Sequence, residues 1–289
     1  MNTPFPIWRW KEIGEVVAIE PIGNNKFRNI VAQRNTGGQL FGGQCVGLAL
    51  NAACRTVPER SLHAAHGYFL RAGSVERPVE CHVEHIFEGR SFSNRLVHLM
   101  QDDEVIFTLQ ASFQRQEDGA EHAEAPPAAP APETLPSIQE LLPEWRGKVP
   151  SGIFERLGVG RVIDLRPIDA EAYISGKSGE KRIAWVRTPS AALLDGAGEH
   201  CAILAYLTDY WLAETAIQRH QTNETKLRMA SLNQAMWFHR PFRVDDWLLV
   251  VCDSPAAQNG RGLGRSHIFD SRGRLVSHAL QEVLFRICE

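Results

Sequence analysis

Hydrophobic and polar positions alternate along much of this chain, and the alternation gives way to continuous apolar runs in two places. The longer run is HCAILAYLTDYWLAETAI, from His200 to Ile217. It has no Gly or Pro and is apolar or aromatic at nearly every position from Cys201 to Ala213, which predicts a helix enclosed on most of its surface. The shorter run, Gln44 to Thr56, follows Gly42-Gly43 and stops at Val57-Pro58, again predicting a helix. Between and around these runs the pattern is that of strands. EVVAIEPIG and NKFRNIVAQ lead in, separated by the turn residues Gly23-Asn24-Asn25. LHAAHGYFLRAG, RPVECHVEHIFEG, SFSNRLVHLMQDD and EVIFTLQASFQ follow, with turns at Glu88-Gly89 and Asp102-Asp103. After the second helix come RMASLNQAMWFHRPF, DDWLLVVCDSPAAQNG, RGLGRSHIFDSRG and RLVSHALQEVLFRI.

The two sets of strands match. Tyr68-Phe69-Leu70-Arg71 corresponds to Trp237-Phe238-His239-Arg240, an offset of 169 residues. The pattern is a tandem duplication of one α+β unit, each a helix and an antiparallel meander, whose sheets could join edge to edge and so remove exposed edges. Between the copies, EDGAEHAEAPPAAPAPETLP has no apolar periodicity and predicts a mobile or polyproline-type linker. SIQELLPEWRGKV could form a short helix, and FERLGVGRVIDLRPID and RIAWVRTPS read as further strands. The resulting division is residues 1–116, a linker over 117–150, and 151–289.

Composition narrows the functional classes. The chain is 44% hydrophobic and 22% charged, as expected of a folded globular protein. A net charge of -3 without a basic block argues against nucleic acid as a partner. The N-terminal stretch lacks the apolar core of a signal peptide, and no run reaches the roughly 18–20 residues of a membrane span. Cys45, Cys54, Cys81, Cys201, Cys252 and Cys288 are scattered with no CxxC pair, suggesting thiols in a reducing, cytoplasmic compartment.

Asp209 stands out in the long apolar run. It either shares a narrow exposed stripe with Thr208, or it is held in a pocket for chemistry, since a buried carboxylate needs partners. Ser231 and Gln281 taken singly are ordinary strand residues, and Gly42-Gly43 alone is a turn before a helix. His63 and His66 sit at a strand start, where they would point to opposite faces; they read as packing or substrate-side residues, not metal ligands. His239 reads as structural, packing beside Arg240. No metal or cofactor site is indicated.

Taken together, LFGGQCVGLALNAACRTVPE, HGYFLRAG, GRSFSNRLV, ASFQ, MWFHRPF with DDWLL, and LVSHALQE resemble the acyl-CoA thioesterase II family, over nearly the full length. The resemblance implies a double hotdog: two helix-wrapped antiparallel sheets joined into one continuous sheet, likewise divided by a Pro/Ala linker. It implies hydrolysis of fatty acyl-CoA, of medium to long chain, without a cofactor, and the site residues follow position by position. The family's helix Asp falls at Asp209, its Thr or Ser at Ser231 and its Gln at Gln281. Ser in place of Thr keeps the hydroxyl with a looser rotamer. These would orient and activate a water, with backbone N–H groups at the Gly42-Gly43-Gln44 helix start facing the oxyanion. Gly42, Gly43, Gln44 and His66 are the expected substrate contacts. In the first copy, Leu62 and Gln110 or Ala111 answer to Ser231 and Gln281, so one active site per chain is expected. A homo-oligomer is also expected. A hotdog hydratase or dehydratase, and a non-catalytic acyl-CoA-binding protein, are the competing readings.

Overall fold

The computed structural model describes residues 5–9, 11–149, 162–175, 181–220 and 226–288. The first half runs α1 (Ile13–Val17), β1 (Ile19–Gly23), β2 (Lys26–Asn29), α2 (Gly42–Arg55), β3 (Ser61–Phe69), β4 (Glu80–Glu88), β5 (Phe92–Gln101) and β6 (Glu104–Gln114). After the linker come α3 (Ile138–Trp145), β7 (Asp164–Pro167), α4 (Ala170–Ser175), β8 (Lys181–Arg187), α5 (Ala197–Ile217), β9 (Lys226–Phe238), β10 (Leu248–Gln258), β11 (Arg261–Asp270) and β12 (Leu275–Cys288). The start of the EVVAIEPIG run is the short helix α1 rather than strand, with Ile13, Val16 and Val17 turned into the core. Much of the FERLGVGRVIDLRPID run lies outside the described residues; its described end is β7.

All the strands belong to one antiparallel sheet in the order β1-β2-β4-β5-β6-β3-β9-β12-β11-β10-β8-β7. The halves mirror one another about the β3–β9 junction, where Ala64 to Tyr68 pair with Asn233 to Trp237. That pairing closes the edge each half would otherwise expose. Helices α2 and α5 pack together on one face of the sheet, α2 over β4–β6 and α5 over β10–β12. Thr208 is completely buried, so no exposed stripe runs along α5 at Asp209. The helix lies very close to β11: a Cβ on Gly264 would come within 2.3 Å of the Leu212 carbonyl oxygen, and one on Gly262 within 2.9 Å of the Ala216 carbonyl oxygen. Glycine at successive inward positions of β11 is what lets the helix sink onto the sheet.

Both halves carry a β-bulge at the same place. In β3 the register shifts between Leu62 and Ala64; in β9 Ser231 faces Val283 while Asn233 faces Glu282, leaving Leu232 extra. A bulge inverts the pleat beyond it. Gln234, Met236 and Phe238 point to the helices, and across the bulge Ser231 does too. In β3 the bulge residue is His63, whose Nε2 meets Ser112 Oγ at 2.8 Å. His63 and His66 therefore share the outer face rather than opposing faces.

The linker is docked, not free. It crosses the outer face of the second half, over a cluster of Trp185, Trp247, Leu249, Val251, Phe269 and Leu275 against which Ala129 and Leu135 pack. Trp185 Nε1 donates to the Pro130 carbonyl at 2.8 Å and Trp247 Nε1 to Glu133 at 3.1 Å. Ser137 caps α3 through a reciprocal pairing with Glu140. Among the described residues, no helix is long and apolar enough to cross a membrane.

Replacing Gly264 with Ala should destabilise the fold by about 1–3 kcal/mol, the usual penalty for overpacking. Urea unfolding measures it; an unchanged midpoint would mean that α5 has room to withdraw.

Candidate active site

The start of α2 abuts the middle of α5. A Cβ on Gly43 would lie 2.4 Å from the Tyr206 carbonyl oxygen, so only glycine permits this approach. The approach brings the Gly43 N–H to Asp209 Oδ2 at 2.8 Å. The other carboxylate oxygen, Oδ1, accepts from the Ser231 hydroxyl at 3.1 Å and from the Gln281 amide. Gln281 Nε2 also reaches Ser231 Oγ at 2.9 Å. Three side chains from α5, β9 and β12 thus share one space with a backbone donor from the other half of the chain. Asp209 is only 7% exposed and Gln281 fully buried. The Gln281 side-chain oxygen, Oε1, is buried beside them with no hydrogen-bond partner among the described residues.

Burial, the largest influence, pushes the Asp209 carboxyl above its ordinary range, while the donors from Gln281, Gly43 and Ser231 pull it back down; the net displacement is upward. A carboxylate poised in this way can accept a proton from water.

The remaining expected contacts divide. Gly42 adjoins the carboxylate: a Cβ there would sit 3.1 Å from Asp209 Oδ2 and 3.2 Å from the Phe69 ring. Gln44 does not face the site. It is fully buried, donating to the Val16 and Val31 carbonyls, both at 2.9 Å, and accepting from the Gln33 N–H at 2.7 Å, so it ties α1 and the following loop to α2. His66 is exposed on the outer face, packed edge-on against Trp237 at 5.0 Å, with the sheet between it and Asp209. Sequence reasoning passed over Gln33, Tyr206 and Tyr210. Their polar ends join beneath the start of α2, with Gln33 Nε2 at 2.6 Å and the Tyr206 hydroxyl at 2.8 Å from the Tyr210 hydroxyl. Nothing in their local sequence marks them, since they meet only through the helix crossing.

Residues 31–114 match the family profile described as the acyl-CoA thioesterase N-terminal domain, and residues 123–285 match that of its C-terminal domain. The chain belongs to the acyl-CoA thioesterase II family. It is 34% identical to acyl-coenzyme A thioesterase 8 of Mus musculus, with 95% of this chain and 89% of that protein covered. It is likewise 34% identical to acyl-CoA thioesterase 2 of Haemophilus influenzae, over 87% of this chain and 89% of the relative. Among solved structures, it is similar to an acyl-CoA thioesterase II from Mycobacterium marinum, with a TM-score of 0.76 and 33% identity, covering 96% of this chain and 99% of the other.

In this thioesterase-family chain the first half has the same frame without the polar groups. Across its sheet Leu62 faces Phe113 and Ala65 faces Ala111, as Ser231 faces Val283 and Gln281 faces Gln234. Leu62 and Ala111, both buried, occupy the positions of Ser231 and Gln281. The helix crossing repeats too. A Cβ on Gly198, at the start of α5, would lie 2.7 Å from Cys54 Cβ, and the same spacing relates Gly43 to Gly198 and Cys54 to Asp209. Cys54 stands where a second carboxylate would be, and burial pushes its thiol up to about 12, so it stays protonated.

A raised native pKa means that the folded chain holds the Asp209 proton more tightly than the unfolded chain. The group then contributes stability below the unfolded value, about 3.9, and loses it as pH rises through the native value. Asp209→Asn has no such loss. Its melting temperature should therefore gain on the wild type as pH rises above about 4. A gap that stays constant with pH would show that the carboxyl is not displaced.

Proposed function

We propose that this chain hydrolyses fatty acyl-CoA of medium to long chain length to the free acid and CoA, using a water held by Asp209, Ser231 and Gln281. The reaction follows from the family and from the names of its relatives. The observation that carries the residue assignment is the buried carboxylate with donors on both oxygens and, beside it, an amide oxygen without a partner among the described residues. A water placed there donates one hydrogen to Asp209 and the other to Gln281 Oε1, which aims its lone pair away from both. As the water oxygen attacks the thioester carbon, its proton passes to Asp209. The C–S bond of the tetrahedral intermediate then breaks, and the departing CoA sulfur takes up the proton that Asp209 had accepted, which restores the carboxylate. Gly42 and Gly43 leave the start of α2 bare of side chains, so that a thioester carbonyl can approach the helix N-terminus, where negative charge is favoured. Gln44 supports this start from below.

Proton transfer at carbon, as in a hotdog dehydratase, calls for an imidazole near the acid. The partners of Asp209 among the described residues are an amide N–H, a hydroxyl and a carboxamide. A mere binding module would have no need of a carboxylate, a hydroxyl and a carboxamide converging on one point. Cys45, Cys54, Cys81, Cys201 and Cys252 are free thiols, which supports a reducing compartment such as the cytoplasm. Exposed Tyr68, Ile86, Phe87 and Phe92 support self-association of the double unit.

Free-thiol release from an acyl-CoA series, with no metal added, should show turnover that is faster for medium and long chains than for acetyl-CoA. Asp209→Asn should lower kcat about 10²–10⁴-fold, and Ser231→Thr should retain activity where Ser231→Ala loses it. Full activity in Asp209→Asn would remove the carboxylate from the mechanism.

A further inference from the structure

On the outer face of the second half, away from Asp209, three histidines and a linker glutamate come together. His267 on β11 and His278 on β12 are cross-strand partners, with ring centres 4.6 Å apart. Glu124 reaches down from the linker so that its Oε1 meets His267 Nδ1 and lies 3.3 Å from His278 Nε2. One donor atom from each of the three lies within 4.8 Å of the others. The far nitrogen of His278, Nδ1, is 2.8 Å from Nε2 of His239.

We propose that Glu124, His267 and His278 bind a divalent transition metal of the zinc type, which clips the linker to the sheet. The donor set is two imidazoles and one carboxylate, which suits Zn²⁺ and not Mg²⁺ or Ca²⁺, cations that prefer all-oxygen ligands. In a tetrahedral site with bonds of about 2.0–2.2 Å, neighbouring donors stand roughly 3.3–3.6 Å apart. The His278–Glu124 separation already has this value, and Glu124, on an extended and half-exposed segment, has freedom to draw back from His267. His239 supplies what ligating imidazoles ordinarily have, a partner for the second ring nitrogen, here holding His278 Nε2 toward the metal. A water completes the coordination from the solvent side. Two nearby cations would oppose a metal, but both are neutralised. Arg265 makes two hydrogen bonds to Asp253, at 2.9 and 2.7 Å, and Arg240 donates to Glu121 at 2.7 Å. The ligands come from residues far apart in the chain, which is why no spacing motif marks them.

The site is tested on the full chain, stripped with a chelator and titrated with Zn²⁺ by calorimetry, with thermal unfolding as a second reading. One Zn²⁺ per chain should bind and raise the melting temperature. Glu124→Gln and His267→Gln, both at the surface and outside the hydrolytic machinery, should each weaken binding by about ten-fold or more and abolish the thermal shift. His239→Ala should weaken it by about ten-fold through loss of the ring partner. Millimolar Mg²⁺ should not compete. Equal Zn²⁺ affinity in the wild type and in His267→Gln/His278→Gln would overturn the proposal.

Discussion

An N–H from the first turn of one helix meeting a carboxylate in the middle of another is the contact on which the site depends. An ionised group inside a protein is tolerated only where donors surround it. Ser231 and Gln281 come from strands of the same half as Asp209, and the Gly43 N–H comes from the other half. The close approach that delivers it needs a residue without a side chain at position 43. It also needs a partner helix that can be buried all round, and glycines under that helix at Gly262 and Gly264 so that the sheet can receive it. The apolar character of α5, the glycines and the buried Asp209 belong to one arrangement.

Much of this was legible in the chain. The repeated strand pattern led to the paired halves, and the continuous apolar runs to the two helices, because periodicity reports burial directly. Asp209, Ser231 and Gln281 could be named together only through resemblance to a family; taken singly, each is unremarkable. What stayed hidden was geometry that depends on one residue more or less. Strict alternation puts Ser231 on the opposite face from Gln234, and the bulge at Leu232 reverses that. The same device at His63 brings it onto the outer face with His66. Gln44 sits next to the site in sequence but turns inward, because α1 and the loop after β2 leave carbonyls that need its amide.

The linker shows a different limit of pattern reading. Its Ala, Pro and Glu have no periodicity, and composition alone suggested a free tether. Its order comes from the surface beneath it. Trp185 and Trp247 offer ring N–H groups that pair with Pro130 and Glu133, and Arg187 lies 4.2 Å over the Trp247 ring. A segment with little apolar content of its own is thus laid down by aromatic residues distant in the chain.

The matched ends of the helix crossing, Gly43 with Asp209 and Gly198 with Cys54, bear on why the halves are fused. Two identical subunits about a twofold axis must carry every residue twice, so a buried acid at one end of the crossing would be imposed at the other as well. Covalent fusion breaks that symmetry. The destabilising charge is confined to one end, and the other is released to a neutral thiol and close apolar packing.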